Sequence, residues 1–248
     1  RSDAWSDEGY KGVAAAFVGG SGIPIEVLDA RKLPPDWKDP DFDDDLWGSA
    51  QRMPAVHIGG FAHTQPPTDP YGPLYPRLIA RLEGAIVSPV RVDMEVAAGQ
   101  VDVSIGSPVL RVAGSLSSAS TPKGGRLPLE IELLADGFVR LILDMGRIVS
   151  GLVQLSVRAP AGTVFEMSYV ESPLIAGQLD LLGVHAGSRY IARGDLDHFE
   201  AFDSNGFRYA YILVHGAAGA IEISHFAVRE LLYPWQPGAS FECSDETL

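Results

Sequence analysis

The sequence predicts an all-β fold built as two antiparallel β-sandwich or jelly-roll modules. Three observations carry that prediction. Apolar residues recur at period two in short runs, Gly and Pro supply 27 and 18 of the 248 residues and punctuate those runs, and helical periodicity is nearly absent.

Taken in order, the upstream strands are expected at residues 12–18, 24–30, 79–87, 90–97, 100–106 and 109–114. The proline-rich stretch 59–77 is a loop, because proline fixes φ and removes the donor that a helix or central strand needs. The small polar run "SLSSASTPKGG" (115–125) marks an internal boundary. Beyond it, strands are expected at 127–135, 137–146, 148–159, 163–171, 188–194 and 199–203, then over "GFRYAYILVHG" and 219–231. Asn205-Gly206 is the dipeptide that a tight type I′ hairpin prefers, since both central residues need positive φ. After it Phe207, Tyr209, Tyr211 and Leu213 alternate with Arg208, Ala210, Ile212 and Val214. Both faces are largely apolar, which fits a strand covered on two sides. Arg208 is expected to pair with Asp203 or Glu200 across the turn and to act as scaffold.

Composition narrows the function. The formal charge of −13 opposes a phosphate backbone or an anionic lipid surface, so neither nucleic acid nor membrane is an expected partner. No apolar run reaches the roughly 18 residues of a membrane-spanning helix. Cys243 is the single cysteine, which leaves no intrachain disulfide and no cysteine-based zinc site. Localisation stays open between cytoplasm and export.

Most motifs tested for chemistry fail on spacing. Aligning Asp39, Asp41 and Asp43 to an EF-hand puts Asp44 where glycine is required and Ala50 where the bidentate glutamate belongs. His57, His63, His185, His198, His215 and His225 form no HxH or HExxH pattern, and "GGSGI" (19–23) misses the closing glycine of a nucleophile elbow. Glycosidases need two carboxylates about a bond, but Glu166 and Glu171 fall on opposite faces of a regular strand. Trp5, Trp37, Trp47 and Trp235 are the aromatics able to stack on sugar rings.

"DMGRIVSGLVQLSVRAPAGTVFEMSYVE" (144–171), with Asp144, Gly146, Gly151, Gly162, Thr163 and Glu171, resembles the sandwich segment of bacterial α-L-rhamnosidases of glycoside hydrolase family seventy-eight. "SRYIARGDLDHFEAFDSNGFRYAYILVHG" resembles the next block of the same family, and "EVLDARKLPPDWKDPDFDDDLWGSA" (26–50) its upstream jelly roll. The resemblance implies a jelly-roll accessory module at 1–118, a concanavalin-like sandwich at 119–239, and at 240–248 the start of an (α/α)₆ barrel that holds the catalytic acid and base. It implies that this chain carries no catalytic residue of an inverting hydrolysis of terminal α-L-rhamnose, and that its partners are a rhamnose-containing glycoside or polysaccharide and the barrel. Glu26, Asp29, Arg31, Trp37 and Trp47 are then the candidate sugar contacts, and Asp144, Gly151, Asn205, Gly206, Phe207, Arg208 and Tyr209 the structural positions. Rhamnose-binding modules of this kind place acidic or amide ligands for calcium before the Glu26 position. Gly20, Ser21 and Gly22 stand there instead, so no cofactor is expected, with calcium the one alternative left open. Two other classes compete, a lectin-like binding module and a spacer without ligand.

Overall fold

Alternating apolar residues become strands only where each backbone donor and acceptor finds a ladder partner. The computed structural model describes residues 5–6, 26–34, 36–37, 39–45, 47–49, 76–98, 123–135, 137–173, 187–235, 238, 240 and 242–244. Its strands are β1 (Trp5–Ser6), β2 (Glu26–Asp29), β3 (Ile86–Val87), β4 (Arg91–Ala98), β5 (Lys123–Gly125), β6 (Leu129–Leu133) and β7 (Gly137–Arg158), followed by β8 (Val164–Val170), β9 (Gly187–Ile191), β10 (Leu196–Glu200), β11 (Asn205–His215) and β12 (Gly219–Glu230). A 3₁₀ turn at Ala30–Lys32 follows β2. The fold is all-β, as the sequence predicts, in one curled 12-stranded sheet.

Strand β7 organises the sheet. Along one edge it pairs with β10 (Leu196↔Arg158 to Glu200↔Gln154) and then with β11 (Asn205↔Gly151 to Val214↔Val139). Along the other it pairs with β12 over its second half and β4 over its first. Segments 137–146 and 148–159, expected as separate strands, are thus one strand of 22 residues. It stays continuous because both edges are occupied on each side of a bulge at 145–148, which Gly146 permits at φ 78°. β11 continues to β8, β8 to β9, and β9 to β2. The β2–β9 pair is parallel, a departure from the purely antiparallel expectation.

Several boundaries differ. The strand expected at 199–203 is at 196–200, and the one expected at 79–87 contracts to 86–87. Asn205-Gly206 is not the centre of a hairpin. Both residues open β11, paired with Gly151 and Ser150, and Gly206 does not take a left-handed φ. Ladder pairing with β7 overrides the local turn preference. The strands expected at 12–18, 100–106 and 109–114, the 118/119 boundary and most of the 59–77 loop lie outside the described residues. Strands from both sides of that boundary, β4 and β7, share the sheet.

The core lies against β7, β8, β11 and β12, where Leu141, Leu143, Val153, Phe165, Phe207, Ile212, Leu213 and Phe226 are fully buried. Each such side chain contributes about 1.5–3 kcal/mol through loss of apolar surface to water. Phe207 stacks on Tyr169 at 4.7 Å between ring centroids, and the Tyr169 hydroxyl donates to Ser188 Oγ at 3.2 Å. The chain divides into two units, Arg1–Leu33 with Leu82–Leu248, and Pro34–Arg81. Within the second, backbone turns at Asp36–Asp39 and Asp44–Trp47 carry an aromatic group in which Trp47 lies 6.4 Å from Trp37 and 5.5 Å from Phe42.

Candidate functional site

The residues singled out around "GFRY" meet at the β7 bulge. Four residues of β7, from Met145 to Ile148, stand opposite Arg208 alone, because the register jumps between Phe207↔Val149 and Tyr209↔Asp144. Asp144 closes that irregular loop. Its Oδ1 accepts from Gly146 N at 2.8 Å and from Arg208 Nε at 2.9 Å, and its Oδ2 accepts from Arg208 Nη2 at 3.2 Å. The Arg208 guanidinium lies 5.1 Å from the Tyr209 ring centroid, which orients the fork. The partner of Arg208 is therefore Asp144, and neither Asp203 nor Glu200. Glu200 lies beside Gln154 and binds Arg229 instead. Sequence distance hid the pair, since Asp144 and Arg208 are 64 residues apart. The signal available was a carboxylate two residues before the glycine that ends the expected strand 137–146.

The guanidinium and the Gly146 amide hold the Asp144 carboxyl below the usual carboxylate range, against the opposing effect of burial. A carboxyl with a depressed folded-state pKa contributes stability above its unfolded pKa of about 3.9 and loses it as pH falls through the folded value. Asp144→Asn is therefore expected to lower the urea midpoint near neutral pH and to converge with wild type as pH falls through the folded-state value. An unchanged gap between the two proteins on acidification would contradict this role.

Other buried carboxylates are held in the same way. Asp29 accepts from Arg31 Nε and Nη2, both at 2.8 Å, and its pKa is lowered chiefly by that hydrogen bonding. Glu166 binds Arg189 at 2.7 Å, with His215 Nε2 3.6 Å away. Asp197 binds Arg193 at 2.7 Å, and Glu230 receives a two-pronged contact from Arg147 at 2.7 and 2.9 Å. Glu26 accepts from Phe202 N at 2.8 Å. The expected sugar contacts Glu26, Asp29 and Arg31 are thus engaged in holding β2 and the turn after it, with Glu26 and Asp29 buried and Arg31 half exposed. Trp37 and Trp47 lie together in the other unit, Trp37 half-buried and Trp47 exposed. Trp235 is exposed and packs edge-on against Tyr233 at 5.2 Å. Glu171 is exposed just past β8, on the opposite side of the regular pattern from buried Glu166. His198 faces Ser156 Oγ at 2.8 Å. The Trp5 side chain, His57, His63, His185, the "GGSGI" run and the 245–248 segment lie outside the described residues. Among the described residues no group of three His, Cys, Asp or Glu could hold a metal ion.

Gly151 is a structural position for a packing reason. A Cβ there would overlap the Arg229 carbonyl oxygen and lie 2.7 Å from Glu230 Cα, so β12 can cross β7 only at a glycine.

Comparison with known proteins agrees with this frame. The model of the bacterial alpha-L-rhamnosidase concanavalin-like domain matches residues 137–229, the span from the start of β7 to the end of β12. No curated protein matches the chain. Among solved structures, a family GH78 rhamnosidase of Bacillus sp. GL1 is 24% identical over 54% of this chain and 15% of its own, with a TM-score of 0.42. An alpha-L-rhamnosidase from Dictyoglumus thermophilum is 19% identical over 81% of this chain and 18% of its own, with a TM-score of 0.43. The chain therefore spans less than a fifth of the length of either protein. Residues 137–229, in which β7, β11 and β12 are tied at Asp144 and Gly151, are thus similar to the concanavalin-like domain of bacterial alpha-L-rhamnosidases.

Proposed function

We propose that this chain is the non-catalytic β-sandwich part of a glycoside hydrolase that removes terminal α-L-rhamnose from glycosides or polysaccharides. In this reading an (α/α)₆ barrel in the same parent protein performs an inverting hydrolysis. The observation that carries it is the state of the sheet's buried carboxylates. Asp29 and Asp144 are held ionised by arginine forks, whereas a general acid needs a raised pKa and a free face toward the glycosidic oxygen. Exposed apolar side chains on the β3–β12 side support a role in bracing a further domain. They include Leu82, Ile86, Ile148, Leu232, Tyr233 and Trp235, whose backbones are linked through the Glu83↔Leu232 bridge and the Leu231 N to Ser150 O bond.

Hydrolysis of p-nitrophenyl α-L-rhamnopyranoside tests the proposal. Residues 1–248 alone are expected to give the buffer rate, while a parent chain containing them with the barrel turns the substrate over. Turnover by residues 1–248 would refute it. The Trp37, Phe42 and Trp47 group favours a second reading as a lectin-like module, since exposed Trp47 offers a ring face to a sugar. A saturable change in tryptophan fluorescence with millimolar rhamnose, lost in Trp47→Ala, is the result expected from that reading.

A further inference from the structure

A second feature of the sheet is the edge of β12 that faces away from β7. One edge of β12 is covered by β7 from Glu222 to Glu230. The opposite edge is covered by β6 at Gly219–Ile223 and by β3 at Val228–Arg229, which leaves Ser224 to Ala227 without a ladder partner on that side among the described residues. The gap opens into a cleft of about 390 Å³ walled by Ser88, Pro89 and Val90 after β3 and by Arg126 and Leu127 before β6. Its back is Ser224, His225 and Phe226. A bulge between Ile223 and His225 makes two consecutive residues, Ser224 and His225, half-exposed between buried Ile223 and Phe226. The wall after β3 is pinned by Val90 N donating to Asp144 O at 2.8 Å.

The chemistry of the cleft differs from that of the molecule around it. The chain carries −13, yet the ionisable residues lining the cleft are Arg126 and His225, with no carboxylate among the lining residues. Arg126 is exposed and holds no carboxylate among the described residues, unlike the arginines that clamp Asp144, Glu166 and Glu230. An uncommitted guanidinium is a two-pronged receptor for a carboxylate. The Ser88 hydroxyl, the Ser224 oxygen as an acceptor while its proton is donated to Ser156 O at 3.2 Å, and the strand edge behind them offer hydrogen-bonding groups to ring hydroxyls, while Val90 and Leu127 offer apolar surface to a pyranose C–H face. We infer that the cleft between β3 and β6 binds a hexuronic acid residue, with Arg126 taking the carboxylate and the β12 edge the ring hydroxyls. The inference does not depend on the rhamnosidase reading.

The test is titration of the 248-residue chain with galacturonate, glucuronate, galactose and acetate, followed by amide and His225 ring signals in NMR. Uronates are expected to shift the signals of residues 224–227 and His225 saturably at millimolar concentration, and galactose and acetate to bind roughly tenfold or more weakly. Arg126→Ala should reduce uronate affinity by a similar factor without moving the urea midpoint, because the side chain is exposed. Galactose binding as tightly as galacturonate removes the carboxylate contact from the proposal, and acetate binding as tightly reduces the cleft to an anion site without ring recognition. Either result overturns it, as does the absence of a saturable shift at about 10 mM uronate, or undiminished binding in Arg126→Ala.

Discussion

Gly151→Ala is expected to destabilise the fold by about 3 kcal/mol or more, the largest effect of a single methyl group anywhere on β7. The added Cβ would meet backbone, the Arg229 carbonyl and Glu230 Cα, and not the movable end of a side chain. Relief would require β12 to lift from β7, and Gly84 closes the other flank, since a Cβ there would lie 2.7 Å from Glu230 Cβ. The check is the urea midpoint of Gly151→Ala beside Gly206→Ala. Gly206 has open space around it, and its substitution should cost less than about 1 kcal/mol of stability. Equal effects at the two glycines would mean that the β7–β12 crossing does not limit stability.

Arg140→Met is expected to cost about 3 kcal/mol, for a different reason. Arg140 on β7 and Glu95 on β4 are directly opposed across the ladder, joined by a 2.5 Å bond from Arg140 Nε to Glu95 Oε2. Their side chains are only 10% and 13% exposed, so removing the guanidinium strands a carboxylate with little water to solvate it. Replacing both partners by apolar residues should recover most of the loss, because the desolvation of both charges is then avoided. A double-mutant cycle over Arg140→Met and Glu95→Leu, read from urea midpoints, measures the coupling. A coupling near zero would mean that the pair does not hold β4 against β7.

These two sites differ in how far the sequence reveals them. Gly151 is legible as a glycine within an apolar strand pattern, a place where another backbone approaches closely. What approaches is not legible, because β12 arrives some 70 residues later in the chain. Arg208 reads as an arginine paired with a carboxylate, and local sequence points to Asp203 or Glu200 while the fold delivers Asp144. Asn205-Gly206 illustrates the same limit, since its turn propensity is worth less than the pairing of Asn205 and Gly206 with β7.

Residue pattern alone determined the all-β class, the succession of strands from β6 to β12, and the rhamnosidase-like motifs within residues 137–229. Those properties are written in side-chain alternation and in motifs a few residues long, so no distant contact is needed to read them. Tertiary structure alone decided that β7 runs unbroken through two sets of neighbours, that β2 joins in parallel, which arginine clamps which carboxylate, and that β12 leaves an open edge between β3 and β6. Each of these depends on which strands become neighbours, and that is settled by burial and ladder closure over the whole sheet and not by any local segment.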